Sequence, residues 1–235
     1  RNLHWLMENH AEKLLREVPS HDGRFPWMAK LLDANENLSV QVHPPADIAP
    51  SLGGESKTEA WHIVHAEPDA RLIAGLKRGT TSEDFESWLA QSDFPSCLHE
   101  IPANKGDSIF IPSGRLHALG AGTVVFEIQQ NSDTTFRVFD WNRIGLDGRP
   151  RKLHIDKAIQ SINFTDIEPH TLTAAWDSVA GHSSQAIADE KTVFRIDHVR
   201  LDLVDPIPLP GRGLRMLAVT HDQIKLNGAD ETLVL

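Results

Sequence analysis

Gly106-Asp107-Ser108-Ile109-Phe110-Ile111-Pro112-Ser113-Gly114-Arg115-Leu116-His117 is the stretch on which the fold of this 235-residue chain turns. It reads as a glycine turn, a five-residue strand, a Pro-x-Gly reversal and a histidine at the entry of the next strand. Short strand candidates lie on both sides of it, at 38–43, 59–65, 70–76 and 98–102 upstream and at 123–129 and 135–140 downstream. Many short strands separated by Gly/Pro turns predict a sandwich or barrel. Helical spacing is confined to the flanks and one insertion. Leu3, Leu6, Met7, His10, Leu14 and Leu15 form an apolar stripe that the Pro19–Gly23 cluster stops. Thr81 to Leu89 predicts a short amphipathic helix capped by Thr81 or Ser82, and His154 to Ile162 predicts another. Trp27 to Leu32 is a further apolar segment, and roughly 165–235 reads as a second β-rich stretch.

Upstream, the strand at 38–43 carries two chemistries. Side chains alternate across a strand, so Leu38, Val40 and Val42 share one face and Ser39, Gln41 and His43 the other. An edge strand with its polar face in water and a barrel wall with a polar, ligand-holding mouth both produce this pattern. The remaining motifs favour the barrel. Sixteen residues after His43, Lys57-Thr58-Glu59 opens another strand with a carboxylate, a hard oxygen donor. With His117, the chain then offers two imidazoles, a carboxylate and an amide oxygen, an N/O set suited to zinc and other divalent ions. Any one of these residues has an ordinary structural reading: a hydrogen-bonded histidine, a solvated carboxylate, a pleat amide. His62 and His65 fall on opposite strand faces and are not expected to share a metal. Trp61 and Trp141 read as packing residues, and Gly53-Gly54 as a loop without a phosphate-binding signature.

Composition sets outer limits. The formal net charge is -10, which disfavours sequence-independent nucleic-acid binding by clustered Lys and Arg. An anionic substrate must then be met by a few local cations. Cys97 is the only cysteine, so an intramolecular disulfide is impossible, and a reducing compartment suits the chain. Neither a membrane-spanning apolar run nor a signal-peptide pattern is present, and cytoplasm is the expected location, with no membrane partner. The chain opens at Arg1 without methionine and closes on Leu233-Val234-Leu235, which reads as an interrupted strand; both ends are expected to be cut from something longer.

Gly-x5-Pro-x-Gly-x2-His over 106–117 resembles the second cupin motif. Together with Leu-Ser-Val-Gln-Val-His-Pro (38–44), Lys-Thr-Glu-Ala-Trp (57–61), Ile-Pro-Ser-Gly-Arg-Leu-His-Ala-Leu-Gly (111–120) and Glu-x-Gln-Gln-Asn-Ser-Asp-Thr-Thr-Phe-Arg-Val-Phe-Asp-Trp (127–141), it resembles the type I mannose-6-phosphate isomerases in their short bacterial form. The likeness runs from about Arg1 to Phe164. It implies a mainly β cupin fold, a double-stranded β-helix or jelly-roll barrel, with a few short helices. A catalytic domain over 1–164 and a second, smaller cupin-like β segment over 165–235 follow from it. It also implies zinc on Gln41, His43, Glu59 and His117, a catalytic Arg137, and Ser39, Lys57 and Glu127 lining a sugar-phosphate pocket. The chain departs from the family where Phe136 and Phe139 replace frequent tyrosines, and where an N-terminal segment with a Trp-Gly signature is missing.

These groups suit the isomerisation of mannose 6-phosphate and fructose 6-phosphate. That reaction moves a proton between C1 and C2 through an ene-diol, and needs a base near the carbons and positive charge near the oxygens. Lys57, Glu127 and a metal-bound water are all candidates for the base, and Lys57 or Arg137 for the phosphate. Two rival functions are a cupin dioxygenase using Fe(II) and a non-catalytic sugar-binding cupin. The dioxygenase expects His-x-His where this chain has Gln41-Val42-His43.

Overall fold

The computed structural model describes residues 2–16, 18, 20, 22–91, 94–145, 148–172, 176–179, 182–190, 194–201, 214–220, 222–227 and 232–234. Pro19, His21 and Leu235, invoked above, lie outside these. Residues 27–207 form one compact unit, and residues 1–26 with 208–235 form another.

In the smaller unit, helix α1 (Leu3–Leu15) starts where the apolar stripe does. Asn2 caps it, its side chain accepting from the Trp5 amide at 2.9 Å. The helix kinks at His10 and ends at Arg16, whose φ of 53° breaks it. The strands β13 (Lys225–Asn227) and β14 (Thr232–Val234) pair as an antiparallel ladder.

The larger unit holds strands β1 (Trp27–Ala34), β2 (Val40–Val42), β3 (Glu59–Ala66), β4 (Arg71–Leu76), β5 (Leu98–Pro102), β6 (Ser108–Ile111), β7 (His117–Leu119), β8 (Thr123–Gln130) and β9 (Phe136–Phe139). Helix α2 (Ser82–Gln91) sits between β4 and β5, and α3 (Ile155–Ser161) follows β9. Strands β10 (Asp177–Val179), β11 (His182–Glu190) and β12 (Phe194–Leu201) form a small antiparallel sheet of their own. The nine earlier strands form two antiparallel sheets, ordered β1-β8-β3-β6 and β5-β4-β7-β2-β9. The segment read only as apolar at 27–32 is thus the edge strand β1. Thr81 is the cap of α2: its hydroxyl accepts from the Asp84 amide at 3.1 Å, and the Asp84 carboxylate accepts from the Thr81 amide at 3.2 Å.

Three apolar layers follow from strand alternation. Trp61 and Ile63 of β3, Leu72 and Ala74 of β4, Ile109 and Ile111 of β6, Leu119 of β7 and Val125 of β8 meet between the sheets. On the outer face of the five-stranded sheet, Val40, Val42, Ile73, Leu76, Phe136 and Val138 pack under Phe85 of α2 and Ala158 of α3. On the outer face of the other sheet, Ala60 packs with Phe194 of β12 against Trp27, Phe110, Ile128 and Ile196. Burying each such Leu, Ile, Val or Phe contributes about 1.5–3 kcal/mol.

This layering positions the site. Because Val40 and Val42 turn outward to the helices, Gln41 between them turns inward, the barrel-wall alternative of the sequence reading. Leu38 departs from that alternation: it precedes β2, is 38 % exposed, and sits at the mouth of the interior cavity. A register shift between Val40 and Gln41, and the Leu38 amide donating to Leu119 O at 2.8 Å, carry the chain out of the strand pattern there. Gly106 and Gly114 adopt φ of 94° and 90°, values a side chain resists. At Gly114 the reversal brings its amide onto His43 O at 2.8 Å, tying the 106–117 stretch to the end of β2.

Candidate metal centre

Inward-facing residues change from apolar to polar along each strand. On β3, Ile63 and Trp61 give way to Glu59; on β7, Leu119 to His117; on β8, Val125 to Glu127 and Gln129; on β1, Ala34 and Leu32 to Lys30. The polar end opens into a cavity of about 220 Å³ lined by Lys30, Ser39, Gln41, Lys57, Glu59 and His117 among others. His43, Glu59 and His117 are all at most 1 % exposed, and one ligand atom from each lies within 4.8 Å of the others. His43 Nε2 is 3.3 Å from Glu59 Oε1, and His117 Nε2 is 3.7 Å from Glu59 Oε2.

The hydrogen bonds behind the two rings fix their chemistry. His43 Nδ1 lies 2.8 Å from Thr134 O, and His117 Nδ1 lies 2.8 Å from Arg115 O. A carbonyl oxygen only accepts, so each Nδ1 carries a proton and each Nε2 is left turned toward Glu59. The Arg115 carbonyl is itself held steady, because the Arg115 guanidinium grips Asp166 with Nε and Nη2 at 2.6 and 2.7 Å. His43 Nε2 and Glu59 Oε2 are buried without a hydrogen-bond partner. Burial, with the adjacent His43 adding to it, brings His117 down to about 3, so its ring stays neutral. Burial alone would raise Glu59. The close His43 and His117 rings and the Lys57 ammonium, 2.9 Å from Oε1, instead hold it well below the usual carboxylate range. Two imidazoles turned by Nε2 toward an anionic carboxylate, with His43 Nε2 and Glu59 Oε2 left without hydrogen-bond partners, fit a divalent cation, and carbonyl-anchored Nδ1 protons are the usual support of histidine ligands.

Gln41 and Lys57 complete the ring. Gln41 lies opposite both His117 on β7 and Arg137 on β9. As placed, it turns its amide nitrogen to His117 Nε2 at 3.3 Å and its oxygen toward the Ser39 hydroxyl at 3.3 Å. The expected oxygen donor therefore faces away, and a half-turn of the amide exchanges the two atoms without moving the backbone. Lys57 is 5 % exposed, with Nζ 2.9 Å from Glu59 Oε1, so it is not a solvated surface lysine.

The remaining expected residues surround this centre. The Glu127 carboxylate is 4 % exposed and accepts from Trp61 Nε1 at 2.9 Å and from Lys30 Nζ at 2.9 Å. Trp61 is thus a packing residue, 2 % exposed, whose polar edge orients an acid. Lys30 went unread in the sequence. Its only signal is its place in an apolar run, whereas its partners Glu127 and Gln129 lie almost a hundred residues away. Arg137 stands at the rim, with Nε donating to Ser39 Oγ at 3.1 Å and Nη1 to Lys152 O at 3.3 Å. It has no carboxylate partner among the described residues, because Asp140 is occupied by Arg143 and Arg151. His62 stays apart from the centre, hydrogen-bonded to Ser108 Oγ at 2.9 Å, and His65 is exposed beside Glu67.

Two antiparallel sheets closed around a polar mouth, with two histidines and a glutamate from three strands or strand ends, define a cupin with a candidate metal centre. The relatives it matches are mannose-6-phosphate isomerases. The chain is 47 % identical over 150 residues to a probable mannose-6-phosphate isomerase of Bacillus subtilis, covering 63 % of this chain and 47 % of that protein. It is 40 % identical over 163 residues to a mannose-6-phosphate isomerase of Streptococcus mutans, covering 69 % of this chain and 51 % of that protein. The chain spans about half the length of these curated relatives. The crystal structure of a mannose 6-phosphate isomerase from Bacillus subtilis superposes with a TM-score of 0.77 at 31 % identity, covering 85 % of this chain and 62 % of the other. No family model matches the chain.

Proposed function

We propose that the chain interconverts mannose 6-phosphate and fructose 6-phosphate through an ene-diol, with one zinc ion held by His43, Glu59, His117 and the Gln41 amide oxygen. The observation that carries this reading is the pair of Nε2 atoms, of His43 and His117, turned toward Glu59 at the floor of a cavity lined by Lys30 and Lys57. The likeness to named isomerases supports the substrate. An N/O donor set with two imidazoles suits zinc.

When bound, the metal supplies positive charge that polarises the sugar carbonyl. The chain's own groups do the rest. Lys57 Nζ, fixed on Glu59 in the pocket wall, is one candidate for moving the proton between the sugar carbons. Glu127, held from two sides by Trp61 and Lys30, presents a rigid carboxylate to the sugar. Ser39 lies between Gln41 and Arg137 and accepts from the guanidinium Nε while Lys152 O accepts from Nη1, leaving Nη2 to meet anionic oxygen at the rim. The apolar core behind Trp61 excludes water from the reacting end. Within this reading the chemistry belongs to a catalytic domain over 1–164, with 165–235 a second, cupin-like β domain. The setting is cytoplasmic, where sugar phosphates occur as small-molecule substrates. Among the described residues no helix is long and apolar enough to cross a membrane.

The test is a coupled isomerase assay with metal analysis, with and without chelator. Turnover is expected in the metal-loaded chain and lost with the metal. Arg137→Ala is expected to lose turnover about 100-fold or more at unchanged metal content, the scale for removing one preorganised charge donor. Full metal without turnover in the unaltered chain would reduce the site to sugar binding. Full turnover in Arg137→Ala would remove the arginine from the reaction.

A further inference from the structure

Arg137 sits on β9, the outermost strand of its sheet, so among the described residues the far edge of that strand has no strand partner. Residues 152–154 come alongside that edge without forming a strand. The His154 amide donates to Arg137 O at 2.7 Å, and the Arg137 amide donates to His154 Nδ1 at 3.3 Å. Lys152 O accepts from Arg137 Nη1 at 3.3 Å. The backbone of Arg137 is therefore clasped at both its polar atoms by one residue, and its side chain is caught by a near neighbour of that residue. Immediately afterwards α3 packs into the core through Ala158, as does Ile162 just past its end, and Lys157 Nζ anchors on Leu52 O at 2.7 Å.

Besides this hydrogen bond with the Arg137 amide, the His154 ring lies tilted against Phe136, with centroids 6.1 Å apart. His154 occupies the N-cap position of α3 but makes no capping hydrogen bond. A ring nitrogen that accepts from an amide carries no proton, so the clasp requires a neutral imidazole with its proton on Nε2. The surroundings favour that form. Burial first, then the charges of Arg137 on β9, Lys152 on the same segment and Lys157 on α3, lower the His154 pKa. Asp140, the carboxylate that acts on Arg137, is occupied by Arg143 and Arg151.

We propose that His154 is a positioning residue: its neutral imidazole accepts from the Arg137 amide at the open edge of β9 and so fixes the backbone that carries the Arg137 guanidinium at the pocket rim, and protonation releases that hold. This rests on the isomerase reading only for what Arg137 then acts on. The experiment compares the unaltered chain with His154→Ala and His154→Asn, all metal-loaded. It follows kcat/KM against pH and, by NMR, hydrogen exchange of the Arg137 amide. Asn Oδ1 is attached to Cγ as Nδ1 is and accepts the same hydrogen bond, but it cannot be protonated near neutrality.

His154→Ala is expected to lose about 3- to 10-fold in kcat/KM, the worth of one ordinary hydrogen bond, with metal content unchanged. Its Arg137 amide is expected to exchange faster by a similar factor. His154→Asn restores both, and the acid limb of its pH profile moves to lower pH. A His154→Ala chain with unchanged amide protection, or with activity within twofold, overturns the proposal, as does a His154→Asn chain no better than the alanine variant. Failure of the isomerase reading shows separately, as no turnover in the unaltered metal-loaded chain. The exchange measurement then decides the clasp by itself.

Discussion

Replacing Glu59 with glutamine changes one atom's chemistry and almost no volume, and it tests the buried charge arrangement beneath the cavity. Lys57 Nζ stands 2.9 Å from Glu59 Oε1, with both side chains at most 6 % exposed. At an effective dielectric of about 20, that contact is worth roughly 6 kcal/mol before desolvation is counted. Removing the anion leaves the Lys57 ammonium buried beside two imidazoles, and breaking a buried pair from one side costs about 3–5 kcal/mol. The chelator-treated Glu59→Gln chain should therefore unfold with a Tm lower by roughly 6–20 °C than the chelator-treated parent, using about 2–4 °C per kcal/mol for a chain this size. Adding Lys57→Met should recover most of that loss, because no charge is then stranded, but neither variant should bind a stoichiometric divalent ion. The readout is thermal unfolding in chelator, paired with metal content after reloading. A Glu59→Gln chain as stable as its parent would refute the buried ion pair, and one that still holds a full equivalent of metal would refute Glu59 as a donor.

Two further outcomes follow from contacts around the centre. Trp61→Phe removes the Nε1 donor to Glu127 Oε2 and leaves a void in the core, and should destabilise the chain by more than the ~1.5–3 kcal/mol of a hydrogen bond to a charged group, in urea titration. His62, away from the centre, is brought down to about 4 by burial first and by His198 next, so the folded chain binds fewer protons than the unfolded one between about 4 and the ordinary value of 6.5. Stability is then complete above that ordinary value and declines as pH falls toward 4. With the ring only partly buried, about 1–2 kcal/mol is expected after screening. His62→Phe should flatten that part of a stability–pH curve, and an unchanged slope would exclude His62 as its source.

Local pattern carried much of the fold. Period-two alternation from Val40 to His43 set the faces of β2, and the glycines at 106 and 114 marked backbone turns that a side chain resists, so the strand, reversal and histidine entry were legible. The helices α1, α2 and α3 followed from apolar spacing and, at Thr81, from a cap. Legibility failed where the determinant was the register between distant strands. Nothing near Lys30 announces that β1 pairs with β8 and sets it beside Glu127 and Gln129. Nothing near Trp61 says that its ring nitrogen meets an acid 66 residues later. Leu38 was misread because alternation holds only within a strand, and the chain leaves β2 before reaching it. The candidate ligands were legible as residue types. Their protonation was not, since it depends on the carbonyls of Thr134 and Arg115, which any residue could have supplied.

Zinc K-edge X-ray absorption on the chelator-stripped, zinc-reloaded chain addresses the shared-cation claim most directly. One zinc per chain is expected, with only nitrogen and oxygen neighbours at about 2.0–2.1 Å and the multiple-scattering signature of two imidazoles. Loss of one imidazole contribution in His117→Ala would identify that ring as a donor. A chain that retains no stoichiometric metal after dialysis, or whose spectrum shows no imidazole, would contradict the convergence of His43, Glu59 and His117 on one ion.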